Sequence, residues 1–336
     1  MTTFSAAAPI RCGIAGAGPQ GLFHLARLSL HESFQPLCVY DPAETLLRSV
    51  EGRIPHTCSD ERGLVEDPGI ELVFLTAQVP DRSRLACALL TAGKHVVLDA
   101  PLGRDLPEAN AIFAAARESG RTLAVLPPRR WDGEFRTALA VVQSGTLGRL
   151  RSARHISRQF AVPVPLSASA GSVEQPTCAG EEDVLSRFGP HDVDQLLQIA
   201  GAPMRVYCRQ DSAISSGENG AVGEYQLLFE FEGGATAHLE RSLSSRAPLQ
   251  TGWILEGEQG GYTHSRCYRA TADGELVETP VEPQATDPDA FYVGLAQHLR
   301  HAAPLPASVE EARLVTAVLE AARESARRGE WREIGL

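Results

Sequence analysis

One hexapeptide near the N-terminus constrains the fold more than any other feature of this 336-residue sequence. The segment Gly16-Ala17-Gly18-Pro19-Gln20-Gly21 has the spacing G-x-G-x-x-G. It follows an apolar run at 10–15, which predicts a buried strand, and it precedes apolar residues at helical spacing over 22–29. In a strand–turn–helix unit of this kind, the glycines permit a tight turn, close approach of a ligand, and close packing of helix on strand. The sequence therefore predicts a βαβ unit whose helix N-terminus can hold phosphate groups.

Strands and helices alternate through the rest of the first 127 residues. Further strands are predicted at 37–40, 71–75, 95–98 and 122–126, with helix-like stretches at 43–50, 82–92 and 107–118 between them. Parallel strands need crossovers long enough to hold a helix, so this order indicates a doubly wound parallel sheet. We expect an N-terminal Rossmann domain over residues 1–127.

The pattern changes after Pro127, and we expect a second, α+β domain over residues 128–336. Its predicted elements are a helix at 135–144, a strand from Leu150, a loop or lid at 162–180, strands at 253–258 and 265–270, and a terminal helix at about 308–328. Strands at 224–232 and 235–242 flank Gly233-Gly234, which predicts an antiparallel hairpin with a two-residue turn. Ser308 and Glu311 have the spacing of a capping box at the start of the terminal helix.

An acidic residue strengthens the interpretation of the glycine run. Asp41 lies twenty positions after Gly21, at the end of the second predicted strand, where a carboxylate can accept hydrogen bonds from ribose hydroxyls. The same carboxylate repels a 2′-phosphate, and Pro42 and Ala43 offer no cation to hold one. The sequence thus favours NAD over NADP. In the alternative interpretation, the glycines serve only a turn and Asp41 only caps the following helix.

Composition argues against several classes of partner. A net charge of −11 disfavours nucleic acid and anionic membrane surfaces. No apolar run is long enough for a membrane span and the N-terminus lacks a secretory pattern, so we expect a cytoplasmic protein. The seven cysteines show no C-x-x-C spacing, and we predict no metal site, with Cys12 and Cys38 as core thiols.

The sequence resembles the glucose-fructose oxidoreductase, inositol dehydrogenase and MocA (Gfo/Idh/MocA) family over nearly its whole length. The resemblance is carried by Gly16–Gly21, Asp41, residues 67–73, 92–98, Asp99-Ala100-Pro101, 129–132, 144–150, 189–194 and the terminal helix. It implies a Rossmann domain followed by an open, mostly antiparallel sheet, with substrate bound over the nicotinamide between them. Family members commonly oxidise or reduce sugars and cyclitols, and often assemble through the second sheet. We therefore expect a homodimer or homotetramer formed through the C-terminal sheet.

The departures from the family pattern bear on mechanism. The family's fourth strand ends in a glutamate-lysine-proline motif, whose lysine assists proton transfer, and Ala100 stands at the place of that lysine. His191 matches the family's acid/base histidine, but the aspartate usual four residues earlier is replaced by Arg187. Asp194 follows His191 three residues later, on the same side of a helix. We predict His191 as the acid/base group and Arg187 as a substituted cation.

Other polar residues are weaker candidates. Thr76 and Gln78 follow the third strand, and Asp99 ends the fourth, where dinucleotide contacts occur in open α/β sheets. Arg129 and Arg130, with Trp131, either bind carboxylate or hydroxyl groups of a substrate or form an interdomain salt bridge beside a packed tryptophan. Asp194 is a further candidate for substrate contact. His24, in the first helix, is expected at the surface.

Two functions are compatible with these residues. The first is an NAD-dependent oxidoreductase of the Gfo/Idh/MocA type, with an altered catalytic site, acting on a sugar-like or other small hydroxy or oxo compound. The second is a catalytically inactive NAD-binding sensor or scaffold protein, because both the family lysine and the family aspartate are replaced.

Overall fold

The computed structural model describes residues 8–76, 81–160, 183–211 and 223–335. The predicted loop at 162–180 and the predicted cofactor ligand Gln78 lie outside these ranges. Within the described ranges, no helix is both long and apolar enough to cross a membrane.

The chain divides into two compact units. The first comprises residues 1–127 and 288–316, and the second comprises residues 128–287 and 317–336. The chain passes from the first unit to the second at Pro127/Pro128, and residues 288–316 return to the first unit. The physical reason is apolar packing: Phe291, Tyr292 and Leu295 are fully buried there, and the Tyr292 ring stacks on Phe74 at 5.9 Å.

The first unit is a Rossmann fold. Its elements in chain order are β1 (Ile10–Ala15), α1 (Pro19–Leu30), β2 (Phe34–Tyr40), α2 (Glu44–Leu47), β3 (His56–Cys58), α3 (Arg62–Val65), β4 (Leu72–Leu75), α4 (Arg82–Thr91), β5 (His95–Asp99), α5 (Leu106–Ser119) and β6 (Leu123–Leu126). The six strands are all parallel and lie in the order β3-β2-β1-β4-β5-β6. Strand order reverses beside β1, which is the switch point where open α/β sheets bind ligands. The predicted doubly wound parallel sheet is confirmed.

The strands of this sheet are apolar because both of their faces are covered. All four residues of β4 are completely buried, as are Val96 and Leu98 in β5. A parallel sheet with helices on both faces requires such continuous apolar strands, whereas in a sheet with one solvent-exposed face apolar and polar residues would alternate along each strand. Short β3 and α3 were not predicted, since three- and four-residue elements leave no periodic signal.

The second unit is an α+β structure built on one sheet. From residue 133 onward, the elements in chain order are α6 (Gly133–Gln143), β7 (Leu150–Phe160), α7 (Val184–Ala200), β8 (Arg205–Asp211), β9 (Glu224–Glu230), β10 (Thr236–Ser242), β11 (Ser244–Gly257), β12 (Gly261–Thr263), β13 (Arg266–Ala270), β14 (Leu276–Pro280), α8 (Ala290–His301), α9 (Val309–Arg328) and β15 (Arg332–Glu333). Of these, α8 and the start of α9, up to residue 316, belong to the first unit. The nine strands lie in the order β14-β13-β12-β11-β7-β10-β9-β8-β15. Only β7 and β10 pair in parallel among these described strands, so the sheet is mostly antiparallel, as expected.

Local signals in this region were also informative. β9 and β10 form the predicted antiparallel hairpin, and Gly233 and Gly234 adopt φ of 82° and 84°. The connection spans residues 231–235, which is longer than the expected two-residue turn. At the start of α9, the Ser308 hydroxyl accepts from the Glu311 N–H while the Glu311 carboxylate accepts from the Ser308 N–H, completing the capping box.

Candidate functional site

The glycine run forms an open loop between β1 and α1. Gly16 has φ of 102°, a conformation that side-chain-bearing residues rarely adopt. A Cβ on Gly21 would lie 1.8 Å from the Gly16 carbonyl oxygen, so only glycine fits there. A Cβ on Gly18, by contrast, would meet nothing within 4 Å. The first and third glycines shape the turn, and the second leaves space beside the backbone.

The start of α1 is suited to an anion. Its N-cap is Gly18, which has no side chain to accept from the helix amides, and Pro19 begins the helix. No acidic residue lies in the first turn. No side chain of the N-cap or first turn of α1 therefore compensates the positive end of the helix dipole, which is the arrangement that binds phosphate groups. The loop thus fits the pyrophosphate of a dinucleotide.

Asp41 is fastened to this loop from the end of β2. Its Oδ2 accepts from the Ala17 N–H at 2.8 Å, its Oδ1 accepts from the Ala43 N–H at 2.8 Å, and the residue is 7% exposed. A carboxylate has about four acceptor positions, so two backbone bonds leave capacity for ribose hydroxyls. The N-cap of α2 is Ala43 rather than Asp41, so the carboxylate is part of the glycine loop more than a helix cap.

Two buried polar atoms lie at the carboxyl edge of the same sheet. Leu75 and Leu98 pair across β4 and β5, so Thr76 and Asp99 follow at neighbouring positions. Within the described ranges, neither the Thr76 hydroxyl nor Asp99 Oδ2 has a hydrogen-bond partner, although both atoms are buried. Unsatisfied buried polar atoms are rare, and here they stand at the edge where dinucleotides bind. Both residues therefore fit contacts to a cofactor.

His24 is buried, not at the surface as the sequence predicted. The residue is 2% exposed; its Nε2 lies 3.0 Å from Asp99 Oδ1 and its Nδ1 lies 3.0 Å from the Tyr292 hydroxyl. Burial raises the pKa of Tyr292, which stays a neutral phenol. Tyr292 lies 268 residues further along the chain, so local sequence could not reveal this contact. The hydrogen bonds from Tyr292 to His24 and from His24 to Asp99 hold the Asp99 carboxylate in place at the sheet edge.

In the second unit, helix α7 carries the predicted catalytic pair. Arg187 and His191 are both half-buried and are separated by one helical turn. Asp194 is 4% exposed and forms a two-pronged ion pair with Arg130, with Nε–Oδ2 and Nη2–Oδ1 distances of 3.0 and 2.5 Å. Two predicted substrate residues thus contact each other. Trp131 lies in a 3-10 turn at Pro128–Trp131, and its carbonyl accepts from the Asp287 N–H at 3.1 Å.

The residue after His191 ties α7 to the sheet. Asp192 accepts from Arg241 Nε and Nη2 at 2.9 and 2.7 Å, and from the Tyr225 hydroxyl at 2.5 Å. Asp192 and Arg241 are each 2% exposed. Burial by itself would raise the pKa of Asp192, but the Arg241 charge and its hydrogen bonds outweigh burial and lower it. This buried ion pair fixes the helix segment that carries His191.

His155, on β7, is a polar residue that sequence analysis did not single out. It is 7% exposed and its ring lies 5.2 Å from the Trp253 ring. Burial lowers its pKa, and the charges of Arg241 and Arg129 lower it further against the opposing effect of Asp192. His155 is therefore neutral at pH 7. The sequence Arg154-His155-Ile156-Ser157 does not alternate between apolar and polar residues, so no local signal marks His155 as facing the interior.

Comparisons with known proteins agree with this architecture. Residues 10–126 match the family described as "Oxidoreductase family, NAD-binding Rossmann fold", and residues 135–263 match "GFO/IDH/MocA C-terminal domain". The chain is 24% identical to scyllo-inositol 2-dehydrogenase (NADP(+)) IolW of Bacillus subtilis, over 95% of this chain and 94% of that protein. It is also 24% identical to a myo-inositol 2-dehydrogenase of Thermotoga maritima, over 69% of this chain and 68% of that protein.

A solved structure extends the similarity of fold. An oxidoreductase from Agrobacterium radiobacter, solved in complex with NAD+, L-tartaric acid and magnesium, superposes with a TM-score of 0.82 at 20% identity. The match covers 97% of this chain and 98% of that chain. With both family domains matched in order along one chain, the protein belongs to the Gfo/Idh/MocA oxidoreductase family and has an NAD(P)-binding Rossmann domain.

Proposed function

We propose that the protein is an NAD-dependent oxidoreductase acting on a sugar-like or other small hydroxy or oxo compound. The observation that carries this proposal is the glycine loop with Asp41 fastened into it, because it combines an open phosphate position with a buried ribose acceptor. The names of the relatives point to the same class, since two of them are inositol dehydrogenases.

Asp41 also supports the choice of NAD. The Bacillus relative is named for NADP(+), whereas the Agrobacterium structure contains NAD+. Similarity to these proteins therefore does not decide between NAD and NADP as the cofactor. In this chain, the Asp41 carboxylate is 7% exposed, and ribose bound to it in the proposed way would bring a 2′-phosphate close to its negative charge. Placing those two negative charges together in a buried position is unfavourable.

The chemistry assigned to the chain is proton transfer and charge stabilisation. A bound nicotinamide would supply or accept the hydride. His191 donates a proton to the substrate oxygen during reduction, or accepts it during oxidation, and Arg187 stabilises negative charge that develops on that oxygen. The methyl group of Ala100 can neither transfer a proton nor stabilise a negative charge. The roles of the family's lysine and aspartate therefore fall to one arginine and one histidine on adjacent turns of α7.

A second function, an NAD-binding protein without catalysis, is favoured by one observation. Asp194, the carboxylate nearest to His191 in sequence on the same helix face, is held by Arg130 in a nearly buried ion pair. Ala100 is apolar, so the chain has fewer acid/base groups than the family pattern supplies.

Turnover of NADH separates the two functions. Purified protein is mixed with NADH and a panel of keto-sugars, keto-inositols and imines, and absorbance of the reduced cofactor is followed. The oxidoreductase proposal expects turnover with part of the panel, and a large loss in His191→Asn. His264→Asn is a matched control, because His264 is exposed and its φ of 47° is one that asparagine tolerates. Tight NADH binding without turnover of any compound would favour the non-catalytic function.

We further propose that the chain forms a homodimer or homotetramer through the nine-stranded sheet. Along β7, Ala153 and Ser157 are buried on one face, while Arg154 on the other is exposed. Apolar side chains also remain exposed on the strands of this sheet, including Leu228 at 39% and Leu249 at 45%. An open sheet face with such residues is typical of a surface that a second subunit covers.

A further inference from the structure

Arg129 is a cation whose charge is not balanced by a contact within the described ranges. Its neighbour Arg130 is paired with Asp194, and Arg241 is paired with Asp192. No described carboxylate forms an ion pair with the Arg129 guanidinium, although the side chain is half-buried. Its backbone is fixed, because the Arg129 carbonyl accepts from Gln195 Nε2 at 2.7 Å. Partly burying a charge without a partner costs free energy, so a bound anion beside Arg129 would be stabilised.

Guanidinium groups gather around one aromatic ring beside this residue. The Arg129 Cζ lies 5.8 Å from the Phe188 ring centroid, and those of Arg187 and Arg241 lie at 5.4 and 4.6 Å. Stacking on the ring orients planar guanidinium groups and leaves their edge N–H groups for hydrogen bonding. Around Phe188, next to the helical turn that carries His191, the charge of Arg241 is balanced by Asp192, whereas no described carboxylate forms an ion pair with Arg129.

A second observation points to a polar ligand in this region. His155 Nδ1 is buried and has no hydrogen-bond partner among the residues that the structure describes. The residue is 7% exposed and its ring lies 5.2 Å from that of Trp253. Trp253 Nε1 donates to Gln195 Oε1 at 3.2 Å, and Gln195 Nε2 donates to the Arg129 carbonyl, so these contacts connect His155 to Arg129. Leaving a buried imidazole nitrogen without a hydrogen-bond partner costs free energy, and a ligand that bonds to this nitrogen removes that cost. Neutral imidazole can either donate to or accept from a hydroxyl or carboxyl group.

We propose that the second unit binds a substrate bearing a carboxylate, with Arg129 as the group that pairs with the carboxylate and His155 as a hydrogen-bonding partner. This inference rests on the proposed oxidoreductase function and narrows its substrate class to sugar acids and other hydroxy or oxo acids. A guanidinium matches a carboxylate through two parallel hydrogen bonds, whereas a neutral polyol would leave its charge uncompensated.

Matched pairs of compounds test the inference by binding rather than turnover. Isothermal titration of the NADH-saturated protein compares each acid with its neutral counterpart: glucuronate with glucose, gluconate with sorbitol, and tartrate with threitol. We expect at least one acid to bind about tenfold to a hundredfold more tightly than its partner, the factor typical of a hydrogen-bonded charged contact. Failure of every acid to bind, or equal affinity within every pair, would overturn the inference.

Variants then assign the effect to Arg129. Arg129→Gln should lower the affinity for the acid about tenfold or more and leave that for the neutral compound unchanged, with Arg129→Lys intermediate. Arg149→Gln is the control, since Arg149 is exposed and pairs with Glu258 elsewhere in the unit. His155→Phe keeps a ring beside Trp253 but removes the hydrogen-bonding imidazole, so it should weaken binding of the acid. An equal loss for acid and neutral compound in Arg129→Gln, or unchanged acid binding in His155→Phe, would overturn the assignment.

Two further readouts keep the result decisive. If Arg129→Gln does not fold, Arg129→Lys serves instead: it keeps the charge but loses the two parallel hydrogen bonds, and an acid affinity equal to that of the unaltered protein would contradict the proposed contact. Acid binding without any turnover would support the carboxylate site while removing the proposed oxidoreductase function. Rapid turnover of neutral polyols, undiminished in Arg129→Gln, would support the oxidoreductase function while removing the carboxylate site.

Discussion

Replacing Ala43 with arginine should reduce the protein's preference for NADH over NADPH. The Ala43 N–H donates to Asp41 Oδ1, and any residue other than proline keeps this donor, so the loop contact survives the change. Asp41→Ala is expected to erase the preference, but it also removes the acceptor of the Ala17 N–H. Asp41→Asn would turn an amide group toward one of two backbone donors. Arginine at position 43 therefore alters the charge beside the carboxylate with the least structural change.

The typical free energy of a hydrogen bond to a charged group sets the expected size of the effect. In the unaltered protein, hydrogen bonds between the Asp41 carboxylate and ribose hydroxyls, together with its repulsion of a 2′-phosphate, should favour NADH by about 1–3 kcal/mol. That range corresponds to about a 5- to 150-fold difference in dissociation constant. A guanidinium at position 43 should recover roughly 1.5–3 kcal/mol for NADPH through a charged hydrogen bond.

Fluorescence titration with both reduced cofactors measures this directly. Ser49→Arg is a matched control, because Ser49 is exposed in the same segment and the change adds the same charge. NADPH affinity should rise in Ala43→Arg and stay nearly constant in Ser49→Arg. Equal affinities in the unaltered protein, or tighter binding of NADPH, would refute the role assigned to Asp41.

His191→Asn and Arg187→Ala should each lower turnover at least about tenfold in steady-state assays, and Ala100→Lys should not raise it, because Arg187 is proposed to supply the positive charge; undiminished rates in the His191 and Arg187 variants would contradict the roles proposed for them. Inositol and glucose should be poor substrates for oxidation, since a missing oxyanion donor commonly costs about 2.7–4 kcal/mol, and fast polyol oxidation would contradict this. Arg241→Met should lower the free energy of unfolding by about 3–5 kcal/mol in urea titrations, because it leaves Asp192 buried and unpaired. Since Arg241 lowers the pKa of Asp192, this deficit should be full above the usual carboxyl pKa and should shrink as pH falls, whereas a deficit that pH does not change would argue against the ion pair. Sedimentation at micromolar concentration should show a dimer or tetramer, and a monomer would remove the proposed sheet interface.

Sequence alone predicted the features whose signals are local. The Gly16–Gly21 run with flanking apolar segments predicted β1, its turn and α1, and Ser308 predicted the start of α9, because each depends on neighbouring residues. Helix α8 in the first unit was not predicted, since its place depends on packing of Tyr292 against Phe74.

The polar groups of the candidate site were harder to interpret for the same reason. Arg129 and Arg130 are adjacent in sequence and equally eligible to bind substrate, yet only Arg130 meets Asp194 across 64 residues of chain. His24 has a helical periodicity compatible with either face, and its burial follows from Asp99 and Tyr292. Partners distant in sequence decide which polar residues are satisfied, and one sequence does not contain that information.

Transfer of hydride to a substrate is the measurement that tests the central claim most directly. The protein is supplied with NADH carrying deuterium at both C4 positions and with the acid and neutral carbonyl compounds, and products are examined by mass spectrometry. An NAD-dependent oxidoreductase should place one deuterium on the carbonyl carbon of its product, and His191→Asn should slow that transfer. Binding of labelled NADH with no deuterium in any product would contradict the account and favour a protein that binds the dinucleotide without reacting it.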